Sequence, residues 1–413
     1  MTVSLTETET LRRLAGEVAE IAALPVHAET AELWRKLNRL EPVRPLVWIN
    51  EICWDEMPDE AQPTVEDPFL RAVETRLRRV LFQWRHLPVD MIVDGWLGCP
   101  MAIGHTGYGI EVRSARTDSG LAKGAVDYVP TITCAADAEK ISTPVVTVDE
   151  TETARRVELA ERVFDGILPV RKVGVSGTWF APWDKLVCWY GIEELYTDMT
   201  DRPELVELAI GRMVDAMIGQ YEQYEQLGVL TLNNGNNRVG SGGLGITDEL
   251  PQADFDGRRV RMIDMWGNST PQIFSEVSPE MHWRFALRDE MRILERFGLN
   301  CYGCCEPLHK KIDILRRVPR LRRISMSPFV DIAEGAEAIG ADFIYSAKPN
   351  PALLAGDSWH EDEVRAHLRE ILDKTRGLHV EIILKDIHTV RGEPERLFEW
   401  ARIAMELAAD HAA

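Results

Sequence analysis

The sequence predicts an α/β protein built as one (β/α)8 TIM barrel, with an N-terminal helical extension and an inserted hairpin region. Three observations predict it. Short β-prone apolar runs alternate with amphipathic helical stretches, the order that produces parallel βαβ units. Eight such runs can be counted between residues 44 and 384, enough to close a ring. No G-x-G-x-x-G turn joins a strand to a helix, so an open dinucleotide-binding sheet is the weaker architecture.

The elements follow in order. Residues 1–44 carry Leu11, Leu14, Val18 and Ile21 on one helical stripe, which predicts a helical extension lying on the barrel or on a partner subunit. Residues 44–50 read as the first strand and 69–84 as a helix. Residues 89–93 read as a second strand ending in Asp94-Gly95-Trp96. Residues 97–150 are rich in Gly, Thr and short β-prone pieces, which predicts inserted hairpins. A third strand is expected at 173–177, a long helix at 204–227 and a fourth strand at 229–232. A Gly/Asn-rich stretch, 233–245, opens a second insertion that runs to residue 260. A helix is expected over 275–297. Strands five to eight are expected at 299–302, 323–326, 343–346 and 380–384, each followed by a helix, the last spanning 394–407. Residues 45–413 thus form the barrel, with 97–150 and 233–260 as insertions.

Composition narrows the function. The chain has 413 residues, 45% of them hydrophobic and 28% charged, with a net charge of −20. Such a chain lacks the clustered Lys and Arg that nucleic acid or an anionic membrane requires. Its short basic clusters, at 76–79 and 316–323, read as solvated helix faces. No window supplies the roughly 20 apolar residues of a membrane span. No apolar signal core opens the chain, and its seven Cys are an odd number. These features predict a cytoplasmic protein with reduced thiols.

In a barrel, chemistry sits just after the strands. The densest constellation there is Asn300-Cys301-Tyr302-Gly303-Cys304-Cys305-Glu306-Pro307. Thiolates at a strand end suit Zn2+, and His388 follows the eighth strand. The expected metal ligands are therefore Cys304, Cys305 and His388. Packing of the cysteines as small apolar residues is the alternative. Asp386, two residues before His388, is placed to orient it. His388, Asp386 and Glu306 are the candidate catalytic groups. Asn234 and Asn236 in the Gly/Asn stretch, Trp266 and Lys348 are the candidate substrate-binding residues.

Several segments resemble the uroporphyrinogen decarboxylase superfamily over residues 45 to 410. Arg44-Pro45-Leu46-Val47-Trp48 is similar to the family's first-strand Arg-x-Pro-Val-Trp. Gly177-Thr178-Trp179-Phe180-Ala181-Pro182 is similar to its Gly-x-Pro-Phe segment, and Trp266-Gly267-Asn268-Ser269 to the run after its fourth strand. The superfamily includes zinc-dependent, corrinoid-linked methyltransferases, which carry His-x-Cys after a strand and a later Cys. Here Tyr302-Gly303-Cys304 falls on the first motif and His388 on the second. The family's Arg-Gln-Ala-Gly-Arg motif is replaced by Asn50-Glu51-Ile52-Cys53-Trp54, which excludes a porphyrinogen polycarboxylate.

The resemblance implies methyl transfer between a methylcorrinoid on a partner protein and a zinc-activated thiol or pterin. The alternative is a decarboxylase or lyase of a small carboxylated substrate, with Lys348 or Arg238 holding the carboxylate. A homodimer is a further expectation.

Overall fold

The computed structural model describes residues 4–116 and 126–411. Part of the first insertion, 117–125, lies outside the described residues.

Two helices open the chain. Ser4 and Glu7 form a capping box at the start of Leu5–Ala22, satisfying two otherwise orphaned amides. Leu11, Leu14 and Val18 are buried as the stripe requires, and Ile21 is half-buried. They pack with Leu70, Leu77, Leu159 and Val163 of the helices Pro68–His86 and Glu150–Phe164. The second helix, Val26–Asn38, buries Trp34, Leu37 and Asn38. The extension therefore lies on the chain's own core.

The strands are β1 (Leu46–Ile49), β2 (Leu97–Pro100), β3 (Ala102–His105), β4 (Ser114–Arg116), β5 (Val126–Tyr128), β6 (Val146–Asp149), β7 (Val170–Val173), β8 (Trp266–Ser269), β9 (Leu299–Tyr302), β10 (Leu321–Met326), β11 (Ile344–Ala347) and β12 (His379–Leu384). Six form one parallel sheet in the order β1-β12-β11-β10-β9-β8. β2 pairs in parallel with β7. Single parallel bridges join Val175 to Leu230 and Phe180 to Ser269. Among the described residues no ladder joins β1 to β2. β3 pairs with β6 and β4 with β5, both antiparallel, as the hairpin insertion predicts.

The last four expected strands are present within two residues at either end. The earlier ones need correction. Residues 89–93 form no strand. The amides of Val89 and Met91 donate to carbonyls two residues back, so they are not available to a ladder. The Asp90 carboxylate instead takes the Val47 amide at 2.8 Å and Arg44 at 2.9 Å. The second strand is β2, and the third lies three residues early, at β7. The fourth shrinks to the bridge at Leu230, because Asn233 turns the chain away by bonding Ser176 O and Trp266 O at 3.1 and 3.0 Å. Trp266–Ser269, not expected to be a strand, pairs with β9 and is bridged to Phe180 on its other side.

The Gly/Asn stretch is a further correction. It reads as the opening of an insertion, yet residues 241–247 are buried. A Cβ on Gly242 would lie 2.5 Å from Arg323 Cδ, and one on Gly243 2.3 Å from the Trp34 ring. Only glycine lets this backbone slip between the sheet interior and the helix Val26–Asn38. Asn38 Nδ2 donates to Leu244 O and Ile246 O, each at 2.9 Å, which pins the stretch there.

Candidate functional site

Alternation along β12 puts Glu381, Ile383 and Lys385 on one face. Glu381 meets Arg323 at 3.1 Å, and both are buried. Ser346 of β11 donates to Glu381, and Lys348 Nζ donates to Ser346 Oγ at 2.6 Å. A buried polar column thus climbs from Arg323 toward the C-terminal ends of the strands. Burial pushes the Lys348 ammonium down to about 8, although Glu381 opposes it.

At the top of the column the turn after β9 meets the end of β12. Gly303 turns there with φ 92°, and a Cβ would lie 2.4 Å from Leu308. That turn delivers Cys304 and Cys305, whose sulfurs are 3.4 Å apart. Lys385 Nζ stands 2.9 Å from Cys304 Sγ, 3.5 Å from Cys305 Sγ and 3.3 Å from Asp386 Oδ2. Asp386 also lies 3.5 Å from Cys305 Sγ. Its own backbone is left-handed, φ 58°, a strained state for a residue with a Cβ. Its amide donates to Glu51 at 3.1 Å, which helps hold it.

The hydrogen bond from Cys305 and the charge of Lys385 bring the Cys304 thiol below its ordinary range, against burial. The same hydrogen bond, together with burial, pushes Cys305 up. The two sulfurs share the lysine and are shifted in opposite directions. Burial works against the Lys385 charge, but Cys304 raises it well above the ordinary lysine value.

Glu306 lies behind the cysteines. It is fully buried and accepts from the Cys304 amide at 2.9 Å and from Thr270 at 2.9 Å. Burial raises its carboxyl. Farther out, Tyr302 donates to Glu290 at 2.7 Å and lies 2.7 Å from His282 Nε2. Burial pushes Glu290 up to about 8, with the charge of Glu306 adding to it. Burial also holds His282 neutral.

The structure therefore brings together Cys304, Cys305, Asp386 and Glu306, with Lys348 below them. His388 is exposed and forms no hydrogen bond or ion pair with them. The expected trio Cys304, Cys305 and His388 does not assemble, and among the described residues no three His, Cys, Asp or Glu side chains gather as a metal site. Asn234 donates to Leu250 O at 2.6 Å, Asn236 to Ile92 O at 2.9 Å, and buried Trp266 to Gly245 O at 2.8 Å. These three brace the Gly/Asn stretch, and each spends a side-chain donor on backbone. Lys385 is the charged group of this cluster that sequence reasoning passed over. Its signal was parity, two and four residues from inward-facing Ile383 and Glu381.

No family model matches the sequence, and no curated protein matches it. Among solved structures, the fold is similar to that of a methyltransferase from Methanosarcina mazei, with a TM-score of 0.50 and 11% identity over 92% of this chain and 98% of that one. Among the described residues no helix is long and apolar enough to cross a membrane.

Proposed function

We propose that this chain is a methyltransferase built on a closed (β/α)8 barrel of the uroporphyrinogen decarboxylase superfamily. It would move a methyl group from a methylcorrinoid, carried by a partner protein, to a small thiol. The observation that carries the reading is the Cys304–Lys385 contact of 2.9 Å at the strand ends. The similarity to a structure named as a methyltransferase supports it.

The donor set was expected to hold zinc. Cys305 lies 3.4 Å from Cys304 and 3.5 Å from Asp386, but the three do not gather as a metal site, and the Lys385 ammonium stands among them. A dication there would face that charge at contact distance, and the repulsion makes the arrangement a poor fit. No step is routed through a metal.

The chain's own groups suffice for thiol activation. The Cys304 thiolate takes the proton of the incoming thiol, and the negative charge passes to the acceptor sulfur beside Lys385. Because the Cys304 thiol is lowered, this transfer is uphill for a free thiol, and the charge of Lys385 beside the acceptor sulfur offsets part of that cost. The new thiolate attacks the methyl carbon. The C–S bond forms as the bond from methyl to donor breaks, and the electron pair stays with the donor. Half-exposed Asp386, beside both Lys385 and Cys305, gives the Cys304 proton a route to solvent.

The test is transfer from free methylcobalamin to 2-mercaptoethanol, followed by the cobalamin spectrum. Wild type should transfer, and Cys304→Ser should lose about a hundredfold or more. A wild-type chain that transfers nothing defeats the proposal. A carboxy-lyase is the second reading, favoured by the two buried ammonium groups of Lys348 and Lys385. It requires carbon dioxide release from a small carboxylic acid that Lys348→Met abolishes.

A further inference from the structure

A cavity of about 650 Å3 lies away from the cysteines, between the first insertion, residues 175–181 and the helices Pro182–Tyr190 and Pro203–Gln226. Five aromatic rings, of Tyr108, Trp179, Trp189, Tyr221 and Tyr224, line it among aliphatic and polar neighbours. Tyr221 and Tyr224 stand edge to face, with ring centroids 5.7 Å apart. Gln220 locks two of the rings in place, accepting from Tyr108 and donating to Tyr224 at 2.8 Å. Trp179 is 39% exposed and forms the outer wall.

One carboxylate joins these rings. Asp184 is half-buried, and its oxygens accept from Trp179 Nε1 at 3.2 Å and from Gln272 at 3.2 Å. Both hydrogen-bond partners are neutral, burial raises the carboxyl, and the charge of Lys185 acts on it from the rim. Lys185 lines the rim with its side chain exposed to solvent. Trp189, only 3% exposed, leaves its indole N–H without a partner. A buried donor in that state calls for an acceptor.

Electron-rich ring faces with one carboxylate attract a cation that carries its charge on apolar surface. An ordinary ammonium ion is too strongly hydrated to leave water for apolar walls, whereas a trimethylammonium group is not. We propose that this cavity binds a quaternary ammonium compound with a short polar tail, the cation against the rings and Asp184, the tail accepting from Trp189. The inference does not rest on methyl transfer at Cys304.

Titration calorimetry on the full chain tests it, with choline as the probe and 3,3-dimethylbutan-1-ol as its neutral isostere. Choline should bind one to one and about tenfold tighter than the isostere. Asp184→Asn keeps the shape, and its one amide oxygen can still accept from Trp179 and Gln272, yet it should weaken choline about tenfold while leaving the isostere unchanged. Trp179→Leu should weaken choline similarly, and because Trp179 is exposed the circular dichroism spectrum should stay native. If that variant fails to fold, Asp184→Asn alone decides. Equal affinity for choline and the isostere overturns the proposal, as does choline binding untouched by Asp184→Asn or no binding at millimolar choline. Because no turnover is measured, failure here is separate from failure of methyl transfer.

Discussion

Two cation–anion contacts lie along the same column and behave as opposites. Arg323 and Glu381 meet at 3.1 Å in the lower half, both buried. The Gly243 amide and Ser346 complete the shell of Glu381. Lys385 and Cys304 meet at 2.9 Å at the top, beside half-exposed Asp386. The lower pair is enclosed by glycine backbone and the Trp34 ring, so no solute reaches it. The upper pair has an anion that can take up a proton and a neighbour that can pass it on. Both pairs are buried, so the ionisable sulfur and the half-exposed Asp386 beside it, more than depth, set the upper pair apart.

The largest effect should come from breaking the lower pair. Glu381→Gln leaves the Arg323 charge buried and unpaired, which should cost about 3–5 kcal/mol in urea denaturation. A loss below about 1 kcal/mol would show that the glycine backbone alone carries the charge.

The upper pair should show the reverse pattern. Cys304→Ala should cut methyl transfer about a hundredfold while changing stability by no more than about 1–2 kcal/mol. A sharply lowered Tm with unchanged activity per folded molecule would make the cysteines packing residues.

Glu290 sharpens the contrast through pH. Burial raises its folded-state pKa from 4.5 to about 8. A raised pKa contributes stability that is fully present below the unfolded value and is lost as pH rises through the folded one. Stability should therefore fall between about pH 4.5 and 8, and Glu290→Gln should flatten that slope. An unchanged slope in the variant would place the titrating group elsewhere.

Lys385→Met should move the pH profile of Cys304 alkylation by iodoacetamide to more alkaline pH, because the cation that favours the thiolate is gone. A profile that stays in place would assign the lowering of Cys304 to its hydrogen bond from Cys305 alone. The smallest effect should be that of a chelator. Methyl transfer measured after EDTA dialysis should stay within about twofold, since no step uses a metal. Loss restored by zinc would put the ion back among Cys304, Cys305 and Asp386, with Lys385 turned aside.

Part of this arrangement was legible in the order of residues. The runs that became β9, β10, β11 and β12 are short, apolar and set between helices, so their local pattern and final state agree. Cys304, Cys305 and Asp386 were legible as groups following strands. Lys385 was not, because a lysine between a leucine and an aspartate looks solvated unless its parity with Glu381 is counted. His388 was misplaced for a related reason. Beyond Leu384 the chain leaves the strand, and at Asp386 it takes a left-handed turn that alternation does not foresee.

By itself the sequence determined the alternation of elements, the stripe of the first helix, the hairpin insertion and the thiol-rich turn after β9. Each rests on neighbours a few residues apart. Only the tertiary structure decided that residues 241–247 fill the interior, that Asn233 ends the fourth strand early, and that Lys385 stands between two cysteines some 80 positions away. Those outcomes depend on which backbone can approach which side chain across the sheet, and a one-dimensional pattern carries no record of that distance.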